Sequence, residues 1–185
     1  MRKTVKKFFG LWDLDKEEKW LNEMASQGWY LISVKRWHYE FEQAAPGMYN
    51  IRLEFMKKGP AHKENQRYIS FLQETGAIYI GGVGYIAYFA GPTDSNFELF
   101  SDNTSRINYY SRIIKEMSFW VGFSWLEMLV QVFLFLLSLS DFQPIDVEHI
   151  VFAIIWLLIA VFYTKGLVKN IKKQKELREQ QNIFE

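Results

Sequence analysis

Apolar residues recur along this chain with more than one period, and the changes of period divide it. Before residue 100 the apolar runs are short. VKKFF and YNIRLEF read as strands, Trp20, Leu21 and Met24 and later Ile69 and Leu72 follow a helical period, and the runs after Gly28 and Gly76 read as strands again. Beyond residue 116 the pattern changes. Segments 117–140 and 150–168 are nearly free of charge and read as two long apolar helices. The pattern predicts an α+β domain over residues 1–100 followed by a helical hairpin.

The short-period half carries an internal repeat. Displaced by 48 positions, WLNEMASQGWYLISVKRWHYEF from Trp20 lies without gaps on YISFLQETGAIYIGGVGYIAYF from Tyr68, and Gly28 falls on Gly76. Each glycine then stands just past a helix C-terminus, where a left-handed conformation costs least. With the strand-like run before each helix, the order is strand, helix, strand, strand twice. The expected fold is two βαββ repeats, 1–48 and 49–95, forming a mainly antiparallel sheet with two helices on one face. A ferredoxin-like sheet is the nearest template, and the repeat implies a pseudo-twofold arrangement. Asp15 with Glu18 resembles a capping pair for the first helix. Treating AAPGM as a hairpin turn centred on Pro46 pairs Glu40 with Arg52, His38 with Glu54 and Phe41 with Ile51.

Charge places the two apolar segments. A bilayer core needs about 20 apolar residues, which 117–140 supplies. The second is strictly apolar from Ile150 to Tyr163 and reaches spanning length when Lys165 snorkels and Leu167 and Val168 are counted. Arg106, Arg112 and Lys115 precede the first segment, and Lys165, Lys169, Lys172, Lys173, Lys175 and Arg178 follow the second. The connection 141–149, with Pro144, carries Asp141, Asp146 and Glu148 and no lysine or arginine. Basic flanks stay on the cytoplasmic side. A two-pass protein of the cell membrane is expected, with both termini cytoplasmic and residues 169–185 as a basic tail. The N-terminal MRKTVKKFFGLWDLD has no apolar run of signal-peptide length. In 101–116, Ile107, Tyr110 and Ile114, continuing to Met117, recur at helix spacing. They predict a juxtamembrane helix, capped by Ser101 or Asp102, that lies at the interface or runs directly into the first span. Within that span Glu127 and Gln131 form a polar stripe one turn apart. A carboxylate there must be protonated, paired or turned toward protein, so the pair is expected to contact a partner helix from a second copy or from another membrane protein.

Composition narrows the chemistry. There is no cysteine, which removes disulfides, thiolate metal sites and a cysteine nucleophile, and a net charge of +1 gives no overall pull toward nucleic acid. His38, His62 and His149 are too dispersed to form a metal site, and no cofactor is expected. IGGVGY lacks the following helix that a phosphate cradle requires and reads as a hairpin turn. The basic loop KKGPAHKENQR reads as solvated, although its charge also suits anionic headgroups. His38, Glu40, Arg52 and Glu54 form a polar sheet face with cross-strand ion pairs, and nothing beside them supplies a nucleophile. No catalytic residue is assigned, and the chain is not expected to be an enzyme. Trp12, Trp29, Trp37 and Tyr85 are the rings from which an aromatic ligand cleft would be built, although such rings more often make core.

The runs DKEEKWLNEMASQGWYLISV, YEFEQAAPGMYNIRLEF, YISFLQETG and FELFSDNTSRINYYSRI, in this order over about residues 5–115, resemble the domain of unknown function 2812 (DUF2812) family of Gram-positive bacteria. Members of that family place transmembrane helices after the domain, and many are encoded near PadR-type transcription regulators. The resemblance implies a regulatory or envelope-sensing role and no catalytic residues. The expected function is a membrane-anchored regulatory or sensory protein whose cytoplasmic domain binds a protein partner. The alternative is a small-molecule sensor or enzyme using the aromatic cleft.

Overall fold

The computed structural model describes residues 1–93, 97–100, 102–140 and 147–184. The chain forms two compact units, Met1–Arg112 and Ile113–Glu185. In the first, β1 (Arg2–Lys6), α1 (Leu14–Ser26), β2 (Trp29–Lys35) and β3 (His38–Gln43) precede β4 (Tyr49–Phe55), α2 (Lys63–Glu74), β5 (Ile78–Val83) and β6 (Ile86–Pro92). The strands form two three-stranded sheets rather than the single sheet expected, in the orders β1-β3-β2 and β4-β6-β5, with every pairing antiparallel. In each sheet the last strand in sequence is the central one. β2 and β5 run side by side where the sheets meet, without a ladder between them. Neither sheet is the four-stranded ferredoxin-like template.

The hairpin expected across Pro46 does not form. β3 is paired on both sides, with Glu40 opposite Thr4 and Ser33, while on β4 Arg52 stands opposite Phe89 and Glu54 opposite Ala87. The free edge of β4 is occupied by α1. Asn22 accepts from the Ile51 N–H (2.7 Å) and donates to the Ile51 carbonyl (2.9 Å), and Glu18 Oε2 accepts from the Leu53 N–H (2.9 Å). These side chains meet edge groups that another strand would otherwise claim. Residues 44–48 therefore cross between sheets, held at the end of α1 by Ala44 N–H to Gly28 O and Gly47 N–H to Ala25 O.

Leu31, Val34, Tyr39 and Phe41 pack beneath Leu14, Leu21 and Met24 of α1, and Met56, Ile69, Leu72, Ala77, Ala87 and Phe89 form the core below α2. Leu31 and Val34 are both buried although three residues apart, because a bulge between Leu31 and Ser33 resets the alternation of β2. Gly28 and Gly76 follow the two helices with φ of 83° and 98°, as their positions require. After α2, Gly76 N–H bonds Gln73 O and Ala77 N–H bonds Leu72 O, closing the helix. The start of α1 differs from expectation. A 3-10 turn, Leu11–Asp13, leads into it, Asp13 makes no side-chain cap bond, Asp15 lies inside the first turn, and Glu18 is spent on β4.

α3 (Asn103–Ser140) is one continuous helix, so the juxtamembrane segment runs directly into the apolar one. Asp102 Oδ1 accepts from the Ser105 N–H (2.7 Å) and caps it; Ser101 is outside the described residues. α4 (Val147–Phe184) is also unbroken, so the basic tail continues as helix past 168. In the second unit α3 and α4 run antiparallel. Phe123 meets Trp156 edge to face (5.6 Å), Trp125 Nε1 donates to Thr164 Oγ1 (3.3 Å), and Ala160 and Ser124 are buried at the seam. Both helices are long and apolar enough to cross a membrane, and few residues of their apolar stretches are buried in the isolated chain. The connecting residues 141–146, including Pro144, are outside the described residues.

Candidate functional site

The chemically distinctive part of the first unit is a set of carboxylates drawn under the fold. Glu17, one helical turn after the 3-10 lead-in, points into the core and is 2% exposed. Its Oε1 accepts from two tyrosine hydroxyls, Tyr39 of β3 (2.7 Å) and Tyr88 of β6 (2.5 Å), so one carboxylate joins the central strands of both sheets. Burial raises its pKa, and the two hydroxyl donors oppose the rise. The tyrosines are pushed upward by burial and by the carboxylate beside them.

A second set gathers where the first turns of α3 lie along β4. Arg52 Nη2 reaches Glu98 Oε1 (3.1 Å), Arg106 Nη2 reaches Glu98 Oε2 (2.9 Å), and Arg52 Nη1 lies 3.6 Å from Glu18. Tyr110 donates to Asp15 Oδ1 (3.2 Å). Arg112 donates through Nε to the Phe55 carbonyl (2.8 Å) and through Nη2 to Glu54 Oε1. Glu54 is 3% exposed, and its Oε2 is buried without a hydrogen-bond partner. Burial pushes its pKa up to about 7, outweighing the Arg112 guanidinium that favours the charged form. A proton on Oε2 answers both facts, since it removes the uncompensated charge where no donor reaches it.

The four residues expected to share a polar face are divided. His38 and Glu40 stand on β3, where the His38 ring donates through Nδ1 to the Arg36 carbonyl (2.8 Å) and Glu40 lies 3.7 Å from Lys35. The alternation along β3 is as expected, with Tyr39 and Phe41 buried opposite them. Arg52 and Glu54 belong to the other sheet, and Glu54 is buried rather than solvated. Its neighbours gave no warning, because burial there comes from α3, more than fifty residues away in sequence.

The rings considered for a cleft have separate surroundings. Trp29 opens β2 under the Lys3 ammonium (3.9 Å), while Trp37 lies beyond its other end, about 20 Å away along the strand. Trp37 meets Phe8 edge to face (5.6 Å) beneath the Arg36 guanidinium, and Tyr85, in the β5–β6 turn, leans on Phe55 (5.9 Å). Trp12 sits in the 3-10 turn against Gly10, where a Cβ would strike its ring. IGGVGY contributes most of β5 and the hairpin turn at Gly84 and Tyr85. In the second unit Gln131 Oε1 accepts from His149 Nδ1 (2.9 Å), a partner within the same chain. Glu127 lies on the same half-buried stripe, and no hydrogen bond or ion pair to it is formed among the described residues. No cluster of metal-ligating side chains occurs among the described residues.

Neither the curated proteins nor the solved structures contain a match to this chain. A family model does match, over residues 13–125, from the lead-in of α1 through both sheets and into the apolar part of α3. It describes a protein of unknown function, and its span includes Glu17, Glu54 and Arg112 together. The chain therefore belongs to the DUF2812 family.

Proposed function

We propose that this protein is a two-pass membrane protein whose cytoplasmic α+β domain is a regulatory module that holds a protein partner. One observation carries the reading: α3 is a single helix whose first turns are fastened to β4 by Arg112, to α1 by Tyr110 and to Glu98 by Arg106, and whose remainder is largely apolar with many exposed side chains. A displacement of such a helix reaches the domain without an intervening linker. Large exposed apolar side chains from Phe119 to Ile171 suit lipid, because a water-facing hairpin would carry a patch far larger than soluble proteins expose. The basic flanks favour a cytoplasmic position for both termini. A transcription regulator of the PadR type fits as the partner, from the neighbourhood in which such domains are encoded.

Glu127 is the side chain in the span that a neighbouring helix would satisfy, whereas Gln131 already has His149. The two βαββ units also read as an internal repeat. The bulge of β2 at Ile32 and that of β5 at Ile80 are 48 residues apart, as are Gly28 and Gly76, and both sheets share one strand order. The division of His38 and Glu40 from Arg52 and Glu54 favours the binding module over an enzyme.

Crosslinking in native membranes, followed by identification of what is recovered with the intact protein, tests this. A specific protein partner is expected, with recovery weakened by Glu127→Leu while membrane insertion is retained. Recovery of lipid alone, with wild-type behaviour of the variant, would reject the reading.

A further inference from the structure

The two ends of the first unit differ in charge. α1 ends at Gly28, bonded to Ala44 just past β3, so it begins at the opposite end, where β1 finishes and the Arg36–Trp37 turn lies. β4 runs against α1, with Asn22 on Ile51 and Glu18 on Leu53, and therefore finishes at that same end. α3 follows β4 in direction: Arg106 is level with Arg52 through their shared Glu98, and Arg112 with Phe55. The chain thus leaves the unit at the end that gathers segments 6–10, 35–38, 56–62 and 84–85. Those segments hold six lysines and arginines, Lys6, Lys7, Lys35, Arg36, Lys57 and Lys58, and no aspartate or glutamate; Asp13, which completes the connection from β1 to α1 at this end, is paired with Lys16 (2.9 Å). At the other end, segments 27–28, 44–48, 75–77 and 92–93 hold no charged residue, and Arg2, which opens β1 there, is paired with Glu42 (3.1 Å).

Exposed aromatic rings stand among these cations. Phe8 is 61% exposed, Trp37 47% and Tyr85 46%. Trp37 and Tyr85 occupy the same place in the two hairpins, 48 residues apart. Trp37 has a φ of 64°, which the two-residue turn between β2 and β3 imposes and which holds the ring out at the tip of the hairpin. Lys35 and Lys58 face Glu40 and Glu64 at 3.7 and 3.2 Å, exposed pairs that exchange readily for another anion. Large rings beside lysine and arginine are the composition of a headgroup layer, where the ring is half buried and the cation meets phosphate.

We infer that this end of the domain binds the surface of an anionic bilayer, with Phe8, Trp37 and Tyr85 entering the headgroup layer and the surrounding lysines and arginines meeting lipid phosphates. The inference rests on the membrane-spanning reading, which brings the same bilayer within reach at high effective concentration. It requires no specific lipid beyond negative charge, and it leaves the opposite end of the unit free for a partner.

The absence of cysteine allows a clean test on the full chain. Single cysteines at Phe8, Trp37 or Tyr85, and at Met48 as a control from the opposite end, are labelled with an environment-sensitive fluorophore and reconstituted in nanodiscs of phosphatidylcholine with or without phosphatidylglycerol. The first three labels are expected to shift to the blue and be quenched by spin-labelled lipid only in the anionic discs, with the Met48 label unchanged. Arg36→Glu combined with Lys57→Glu should abolish both changes at Tyr85. Water-like emission at all three sites in anionic discs overturns the inference, as does equal protection in both lipids, which would indicate a protein contact. Resistance of the chain to alkaline extraction is read separately, so loss of the spanning reading is distinguished from loss of surface binding.

Discussion

Glu17 and Glu54 are buried in a unit that leaves most of its charges in water, and they are stabilised by different means. Two tyrosine hydroxyls serve Glu17, whereas Glu54 has one guanidinium and an oxygen with no donor. The folded pKa of Glu54, about 7, stands above its ordinary value of 4.5, so the folded state holds a proton that the unfolded chain has released. Its contribution is fully present below about pH 4.5 and is lost as pH rises through about 7, an effect on the order of 3 kcal/mol. Thermal unfolding of the full-length protein in detergent should therefore show the melting temperature falling from about pH 5 to about pH 8, with Glu54→Gln removing part of that slope. An unchanged slope in the variant would mean that the carboxylate is charged and paired throughout. Neither burial was legible from neighbouring residues: Glu17 lies among Asp15, Lys16, Glu18 and Lys19, and Glu54 alternates in a polar register with Arg52. The packing of other elements buries them, and local alternation carries no record of it.

At the scale of elements, the C-terminal ends of α1 and α2 were the most legible feature. Gly28 and Gly76 both have the left-handed backbone their positions require, because a glycine after a helical period is a local signal with a local cause. The structure adds a difference between them. A Cβ on Gly28 would lie 2.9 Å from the Ala44 carbonyl oxygen, while at Gly76 nothing lies within 4 Å. Gly28→Val and Gly76→Val should each destabilise the unit by about 1 kcal/mol or more. Gly28→Ala should cost more than Gly76→Ala, as measured by equilibrium unfolding. Equal losses for the alanine pair would show that the 44–48 crossover gives way. The strand pairings were less legible. Pro46 between two alternating runs satisfies the local pattern of a hairpin, but a strand edge can be filled by any donor and acceptor of suitable spacing, and here Asn22 and Glu18 of α1 fill it.

At the scale of the whole molecule, the segregation of basic flanks from the acidic connection predicts both termini inside and residues near Gln143 outside. In the cysteine-free chain, a single cysteine at Gln143 should react with an impermeant reagent on intact cells, and one at Glu64 should react only after lysis. The opposite pattern would invert the topology and separate the α+β unit from a cytoplasmic partner. The sequence by itself determined the α+β composition of the first unit, the glycines that close α1 and α2, a cap for α3 at Ser101 or Asp102, and the two long apolar helices. Each of these follows from periodicity or from a residue acting on its own backbone. Only the tertiary structure decided the split into two sheets, the use of α1 as an edge cover, the burial of Glu17 and Glu54, and the gathering of six cations with three exposed rings at one end. Those features arise from segments brought together across tens of residues, where the choice among pairings lies in packing and desolvation summed over the fold.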